Sequence, residues 1–279
     1  MSAALPHEAH LAALSALDEV GPGRLRWLLS LGEPAEVWAR VCAGRLPVPP
    51  ARVAPAGLRD VWRRTAGGLD PGRIWERCER YGVGVVSLGA PGFPPALDDD
   101  PEPPVVLFHL GDPDTVAPVR VGIVGTRRAT GYGIRIAEEL GSGLSAAGIG
   151  VVSGLALGID GAAHRGAVGA CAAPGASGVG APVAVVAAGL ESPCPRRNRT
   201  LAAQVVEHGV VFSEVPPGVP ADRWRFPVRN RIIAGLCDVL VVVESAGAGG
   251  SMHTVRAALD RDRPVLAVPG PIDSSSSEG

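Results

Sequence analysis

Arginine is the residue around which any chemistry in this chain of 279 residues gathers. All 26 of its Lys and Arg positions are arginine, and lysine does not occur. A guanidinium stays charged at any physiological pH and grips phosphate through two parallel hydrogen bonds, but it forms no Schiff base. The missing lysine therefore excludes a Walker A phosphate loop, pyridoxal-phosphate catalysis and Schiff-base aldol chemistry. The arginines that matter cluster in three stretches. Arg127 and Arg128 lie in GIVGTRRATGYG (Gly122 to Gly133); Arg196, Arg197 and Arg199 surround Asn198 in GLESPCPRRNRTL; Arg223, Arg225, Arg229 and Arg231 flank Trp224 and Phe226 in RWRFPVRNRIIAGL. From Glu191 to Arg231 seven arginines stand against four acidic residues, within a chain of formal net charge −2. Guanidinium groups interleaved with aromatic rings suit a polyanion, the charges neutralising phosphates and the rings stacking on bases. On these residues alone DNA, RNA and a free nucleotide remain alternatives.

Other turns add amides and small residues. SGLALGID (Ser153 to Asp160) and ESAGAGGSMHT (Glu244 to Thr254) each precede an expected helix and leave backbone N–H groups for an anion. Neither they nor the first turn form a dinucleotide fingerprint: after Gly125 the next glycines are Gly131 and Gly133, and the second strand ends in Ser153-Gly154 rather than in an acid for a ribose. Asp160 and His164 share a helical face, but with no nucleophile beside them acid–base catalysis is not expected, and Asp160 reads as a dipole partner or capping group at the helix start.

The elements that must carry these turns follow from periodicity. After Pro118 short β-rich runs alternate with glycine-bearing turns and helices, as in a doubly wound parallel sheet whose ligands bind at the strands' carboxyl ends. Strands are expected at Val121–Gly125, Gly150–Ser153, Val183–Ala188, Val210–Ser213, Val239–Glu244 and Val265–Val268, with helices at Ile134–Ala147, Ile159–Val168, Arg199–Glu207, Ile232–Leu236 and Met252–Asp260. The residues from Arg223 to Arg231 are read as a loop, Gly169–Pro182 as a flexible insertion, and Pro91–Pro118 as an extended wrap containing one strand at Val105–His109. Upstream, Leu11, Leu14, Leu17, Leu25, Leu28, Val37 and Trp38 recur at helical spacing around Gly21-Pro22-Gly23. This predicts a small all-α domain over residues 1–67, its Gly-Pro-Gly turn either an ordinary interhelical turn or one of helix-hairpin-helix type that could hold a backbone phosphate, followed by an α/β domain over 68–279.

Composition limits the setting. A pI near 6.3 argues against a bulk polycation, so any nucleic-acid role rests on a local arginine patch. Cys42, Cys78, Cys171, Cys194 and Cys237 are scattered without a C-x-x-C pair, so neither a zinc cage nor a disulfide framework is expected. With no signal-peptide order at the N-terminus and no apolar run near the ~20 residues that span a bilayer, a cytoplasmic location without a membrane segment is expected.

Seven blocks occur in a diagnostic order: GTRRATGYG, SGLALGIDGAAHRGAV, GLESPCPRRN, SEVPPG, FPVRNRIIAGL, VVVESAGAGGSMHT and AVPGPIDSSSSEG. In this order and spacing the chain resembles the DNA-processing protein A (DprA/Smf) family from about residue 81 to 279. The helical N-terminus is similar to that family's sterile-alpha-motif-like (SAM-like) domain. The resemblance implies an extended Rossmann-like fold, binding of single-stranded DNA without sequence preference, homodimerisation, and loading of the RecA recombinase in natural transformation. It implies a binding protein, with neither enzymatic activity nor cofactor. Carried over by motif, Arg127 and Arg196 grip DNA phosphates, while Gly125, Ser153, Gly154, Asn198, Arg229 and Asn230 line or shape the groove. The chain departs from the family pattern at Cys194, where a tyrosine is usual, at Glu191 in place of an aspartate, and at Met252 in Gly-Ser-Met. It also stops at Gly279, ahead of the family's G-T-N segment and winged-helix domain, which reads as a truncated C-terminal end.

The rival from another class is a Rossmann-like enzyme, a nucleoside-monophosphate phosphoribohydrolase. Its P-G-G-x-G-T-x-x-E signature is not matched by GAGGSMHTVRA, which has no glutamate after the threonine. A nucleotide-sensing module is a further alternative.

Overall fold

The computed structural model describes residues 4–55, 57–192, 195–219 and 222–279. Helices α1 (His7–Ser15), α2 (Pro22–Leu29), α3 (Pro34–Cys42), α4 (Leu58–Ala66) and α5 (Pro71–Tyr81) come first. Proline opens α2, α3 and α5, where its missing N–H is no loss and its fixed φ suits the first turn. Gly21 caps α2, and Pro22 and Gly23 form its first residues, so the breaker residues mark the junction after α1. These helices do not close a core by themselves. Leu11, Leu14, Leu28, Trp38 and Trp62 belong to one buried cluster with Phe108, Val186, Leu201 and Val205 of the sheet region.

The rest of the chain is an α/β layer structure. The described strands are β1 (Gly84–Ser87), β2 (Val106–Gly111), β3 (Arg120–Gly125), β4 (Gly150–Ser153), β5 (Pro182–Val186), β6 (Val210–Ser213), β7 (Val239–Val243) and β8 (Val265–Ala267). They form one eight-stranded sheet in the order β1-β2-β6-β5-β4-β3-β7-β8. From β6 to β8 all neighbours are parallel, with Val121 opposite Val151 and Val239. Buried on both faces, these strands read as unbroken valine-rich runs. Helices α6 (Gly131–Ala146), α7 (Ile159–Cys171) and α8 (Arg199–His208) cover one face; α9 (Arg225–Leu236) and α10 (Ser251–Leu259) cover the other, over Val183, Val185, Phe212 and Leu240.

The strands after Pro118 are parallel, as expected, and the two upstream strands join them antiparallel, β2 on β6 and β1 on β2. Strand β1 escapes notice in the sequence because its four residues, GVVS, are all half-buried and show no alternation. Helix α9 starts at Arg225 rather than Ile232, so RFPVRNR is helical. Pro227 looks like a helix breaker, yet it occupies the first turn, where an N–H has no intrahelical partner to lose. Helix α7 likewise extends to Cys171, into the stretch read as an insertion.

Strands β3 to β6 wind outward in one direction and β7 to β8 in the other, so the connections leaving β3 and β7 diverge. That divergence opens a crevice at the carboxyl ends of the strands, the place where doubly wound folds take their ligands.

Candidate nucleic-acid interface

The crevice at this switch point has a volume of about 610 Å³. Its walls come from the turn after β3, the start of α9 and the turn before α10, and they include Arg127, Arg128, Arg223 and Arg229. The guanidinium carbon of Arg127 lies 5.1 Å above the centre of the Phe226 ring, which holds a charge and a stacking surface side by side. Across from them Gly249, Gly250 and Ser251 form the start of α10, whose N-terminal amides carry partial positive charge.

Not every helix start is open. The Glu244 carboxylate accepts hydrogen bonds from the Thr130 backbone N–H at 2.9 Å and from the Thr130 hydroxyl at 2.5 Å. Thr130 Oγ1 in turn accepts from the Gly133 N–H at 3.2 Å. The N-terminus of α6 therefore already holds an anion of the chain's own. Glu244 reaches it from a left-handed backbone conformation, φ 53°, which a non-glycine residue adopts at a cost of about 1–3 kcal/mol. Leu155, after β4, has the same φ of 53°. Both strained residues sit at the carboxyl edge of the sheet.

The floor of the crevice is a buried polar layer. Arg229, 7% exposed, donates to the carbonyls of Gly154, at 3.0 Å, and Val185. Asp160, 8% exposed, lies against the same glycine: a Cβ on Gly154 would stand 2.6 Å from Arg229 Nη1 and 2.7 Å from Asp160 Oδ2. Burial pushes the Asp160 carboxyl up, with Arg229 opposing the rise. Burial likewise draws Arg229 down to about 10, with Asp160 opposing, so the guanidinium remains charged at neutral pH. Behind them His164 is fully buried and donates from Nε2 to the Val183 carbonyl at 3.2 Å. Its Nδ1 has no partner, and burial lowers its pKa to about 4.

The residues singled out in the sequence fall into three positions. Gly125, Arg127, Arg229 and Asn230 line the crevice. Gly125 is required there for packing, since a Cβ would stand 2.0 Å from the Val243 carbonyl oxygen. Ser153, Gly154 and Asn198 stand behind the wall. Ser153 Oγ donates to the Ile123 carbonyl at 2.6 Å, and Asn198 Nδ2 donates to the carbonyls of Leu155 and Ala156 at 2.9 and 3.0 Å. Arg196 is exposed and outside the crevice lining, on the single turn that runs into α8. Asn198, two residues on, fastens that turn to Ala156 of the rim. Cys194, the position where a tyrosine is usual, lies outside the described residues. Sequence reasoning passed over the part played by Glu244, whose partner Thr130 is 114 residues away. It also read Asp160 as a dipole partner or capping group, and its place across Gly154 from the buried Arg229 depends on α9 beginning early.

Among the described residues no group of three or more His, Cys, Asp or Glu side chains is gathered for a metal ion, and no helix is long and apolar enough to cross a membrane.

The sequence pattern of the family described as DNA recombination-mediator protein A matches residues 84–279. The chain belongs to that family. A DNA processing protein DprA of Bacillus subtilis is 36% identical over 199 residues, which cover 71% of this chain and 64% of that protein. The solved structure of DNA processing protein A from Streptococcus pneumoniae superposes with a TM-score of 0.76 at 28% identity, over 98% of this chain and 89% of that one. DNA processing protein A from Helicobacter pylori, a structure described for its single-stranded DNA binding mode, gives a TM-score of 0.61 at 26% identity, over 70% of this chain and 84% of that one. The chain spans 44 to 64% of the length of the curated relatives it matches.

Proposed function

We propose that this chain binds single-stranded DNA without sequence preference along the carboxyl edge of its sheet, and that it acts there as a binding protein rather than a catalyst. The observation that carries the reading is the convergence of Arg127, Arg128 and Arg223 with Phe226 around one crevice, in a chain whose formal net charge is −2. Positive charge concentrated there neutralises a sugar–phosphate backbone, and the ring and the open start of α10 accept a base and a phosphate. Arg127 and Arg196 hold phosphates in this reading. Gly125 and Asn230 shape the crevice, and Ser153, Gly154, Asn198 and Arg229 hold its walls in place. Membership of a recombination-mediator family and the strand binding described for the H. pylori relative support it. The phosphoribohydrolase alternative gains no support from the crevice, where the carboxylate of Asp160 is buried against Arg229.

Titration of labelled oligonucleotides of several sequences, single and double stranded, at two ionic strengths tests the proposal. Single strands bind more tightly than duplex whatever their sequence. Arg127→Ala and Arg196→Ala each weaken binding to all sequences alike and lower the salt slope by about one unit per lost phosphate contact. Unchanged affinity in both variants overturns the assignment.

In its cellular role the chain hands the strand to RecA, as a homodimer in the cytoplasm. That part is read as faster RecA filament assembly on a strand already carrying this protein, and the absence of acceleration removes it.

A further inference from the structure

Residues 223–226 divide between two crevices. Arg223 and Phe226 face the switch-point crevice. Trp224 and Arg225 instead line a smaller one, formed where the start of α9 meets the Gly21-Pro22 turn that opens α2, with Val20, Leu25 and Val215 on its walls. Trp224 is 42% exposed, whereas Trp38 is 8% and Trp62 0% exposed and Trp27 and Trp75 are half-buried. The guanidinium carbon of Arg225 lies 4.5 Å above the Trp224 ring. Its Nε is buried without a hydrogen-bond partner, so the guanidinium lies against the ring rather than out in solvent.

The second crevice carries charge of both signs: Arg225 and Arg229 line it together with Glu214, which is itself bonded to Arg231 at 2.5 Å. What it offers is a large indole face, braced by a cation, one residue from an arginine of the first crevice. A face of that kind takes any base, because every base has a π-surface.

We propose that Trp224 is a stacking station for a base of the strand after it leaves the switch-point crevice, so that bound single-stranded DNA runs on from the sheet edge towards α2 and the N-terminal helices. This rests on the single-stranded DNA reading above, and it extends the path of the strand beyond the phosphate-gripping residues. The two contacts differ in their response to salt. Stacking releases no counterions, so the Trp224 contact leaves the salt slope alone, while a phosphate contact such as that of Arg127 contributes to it.

The test compares the full chain with Trp224→Ala, Trp224→Phe and Arg127→Ala, using oligothymidylates from about 4 to about 16 nucleotides. Tryptophan emission is read along with affinity, and thermal melting checks that each variant is folded. Trp224→Ala is expected to weaken binding of the longer strands by about 5- to 100-fold, to spare the shortest, to keep the salt slope and to abolish the emission change on binding. Trp224→Phe restores most of the affinity but not the emission change. If Trp224→Ala binds every length as the parent does, or loses affinity equally at every length, while Arg127→Ala is impaired, the station is overturned and the DNA-binding reading stands. If the parent binds no oligonucleotide, or Arg127→Ala and Arg196→Ala both bind as the parent does, the DNA-binding reading falls and the station with it.

Discussion

A buried imidazole with one free nitrogen is a pH sensor for stability. The folded chain keeps His164 neutral down to about 4, whereas the unfolded chain takes up a proton near the ordinary 6.5. Between these values the unfolded state binds more protons, so the stability that neutral burial supplies is whole above about 6.5 and drains away as pH falls towards 4, on the order of 3 kcal/mol. Urea unfolding of the parent and of His164→Gln at pH 7 and at pH 4.5 checks this. The parent should lose more stability than the variant over that interval, and parallel losses would count against it. Much at this scale was legible beforehand. The wall positions of Gly125 and Arg127 follow from residue type and from the turn each occupies, whereas the full burial of His164 carries no mark in the sequence. What was not legible is which arginine goes inside. Arg229 and Arg231 are both buried while Arg196 and Arg127 are exposed, a division set by helix phase and by where α9 begins.

Helices α6 and α7 approach closely because glycines face the partner's backbone. A Cβ on Gly166 would stand 2.1 Å from the Glu138 carbonyl oxygen, and one on Gly141 2.1 Å from that of Ala163. By helix propensity Gly166→Ala would stabilise by up to about 1 kcal/mol. The contact reverses the sign, because the new methyl group forces the helices apart and overpacking of this kind costs about 1–3 kcal/mol. A fall in melting temperature is expected, and a rise would show that the helices separate freely. The helices themselves were readable from GYGIRIAEELGSGLSA and IDGAAHRGAVGAC, since apolar positions recur every three or four residues. Their closeness was not, because a glycine in a helix carries no mark of what lies opposite. The same limit hid the early start of α9, where Pro227 reads as a breaker until its position in the first turn is known.

For the molecule as a whole, one ion pair closes the proline-rich wrap over the layer of α9 and α10. Arg261 donates to both oxygens of Asp100, at 2.7 and 2.8 Å, with side-chain exposures of 6% and 3%. Removing one partner leaves the other buried and unpaired, so Asp100→Ala should cost about 3–5 kcal/mol in chemical unfolding, and the joint replacement Asp100→Leu with Arg261→Met should recover most of it. A double variant as unstable as the single one would contradict this account. The direction of chain winding, and hence the site at the strand ends, could be read from the alternation of strand and helix. The antiparallel β2–β6 pair could not, since partners such as Phe108 and Ser213 lie far apart in the chain. Glu244, finally, bears on what the molecule declines. Doubly wound proteins that take nicotinamide or flavin coenzymes seat a pyrophosphate at the first helix start. Here that berth has a permanent tenant of like sign, and a coenzyme would have to evict it before docking. A carboxylate bound to Thr130 at that place works against a dinucleotide through its charge alone.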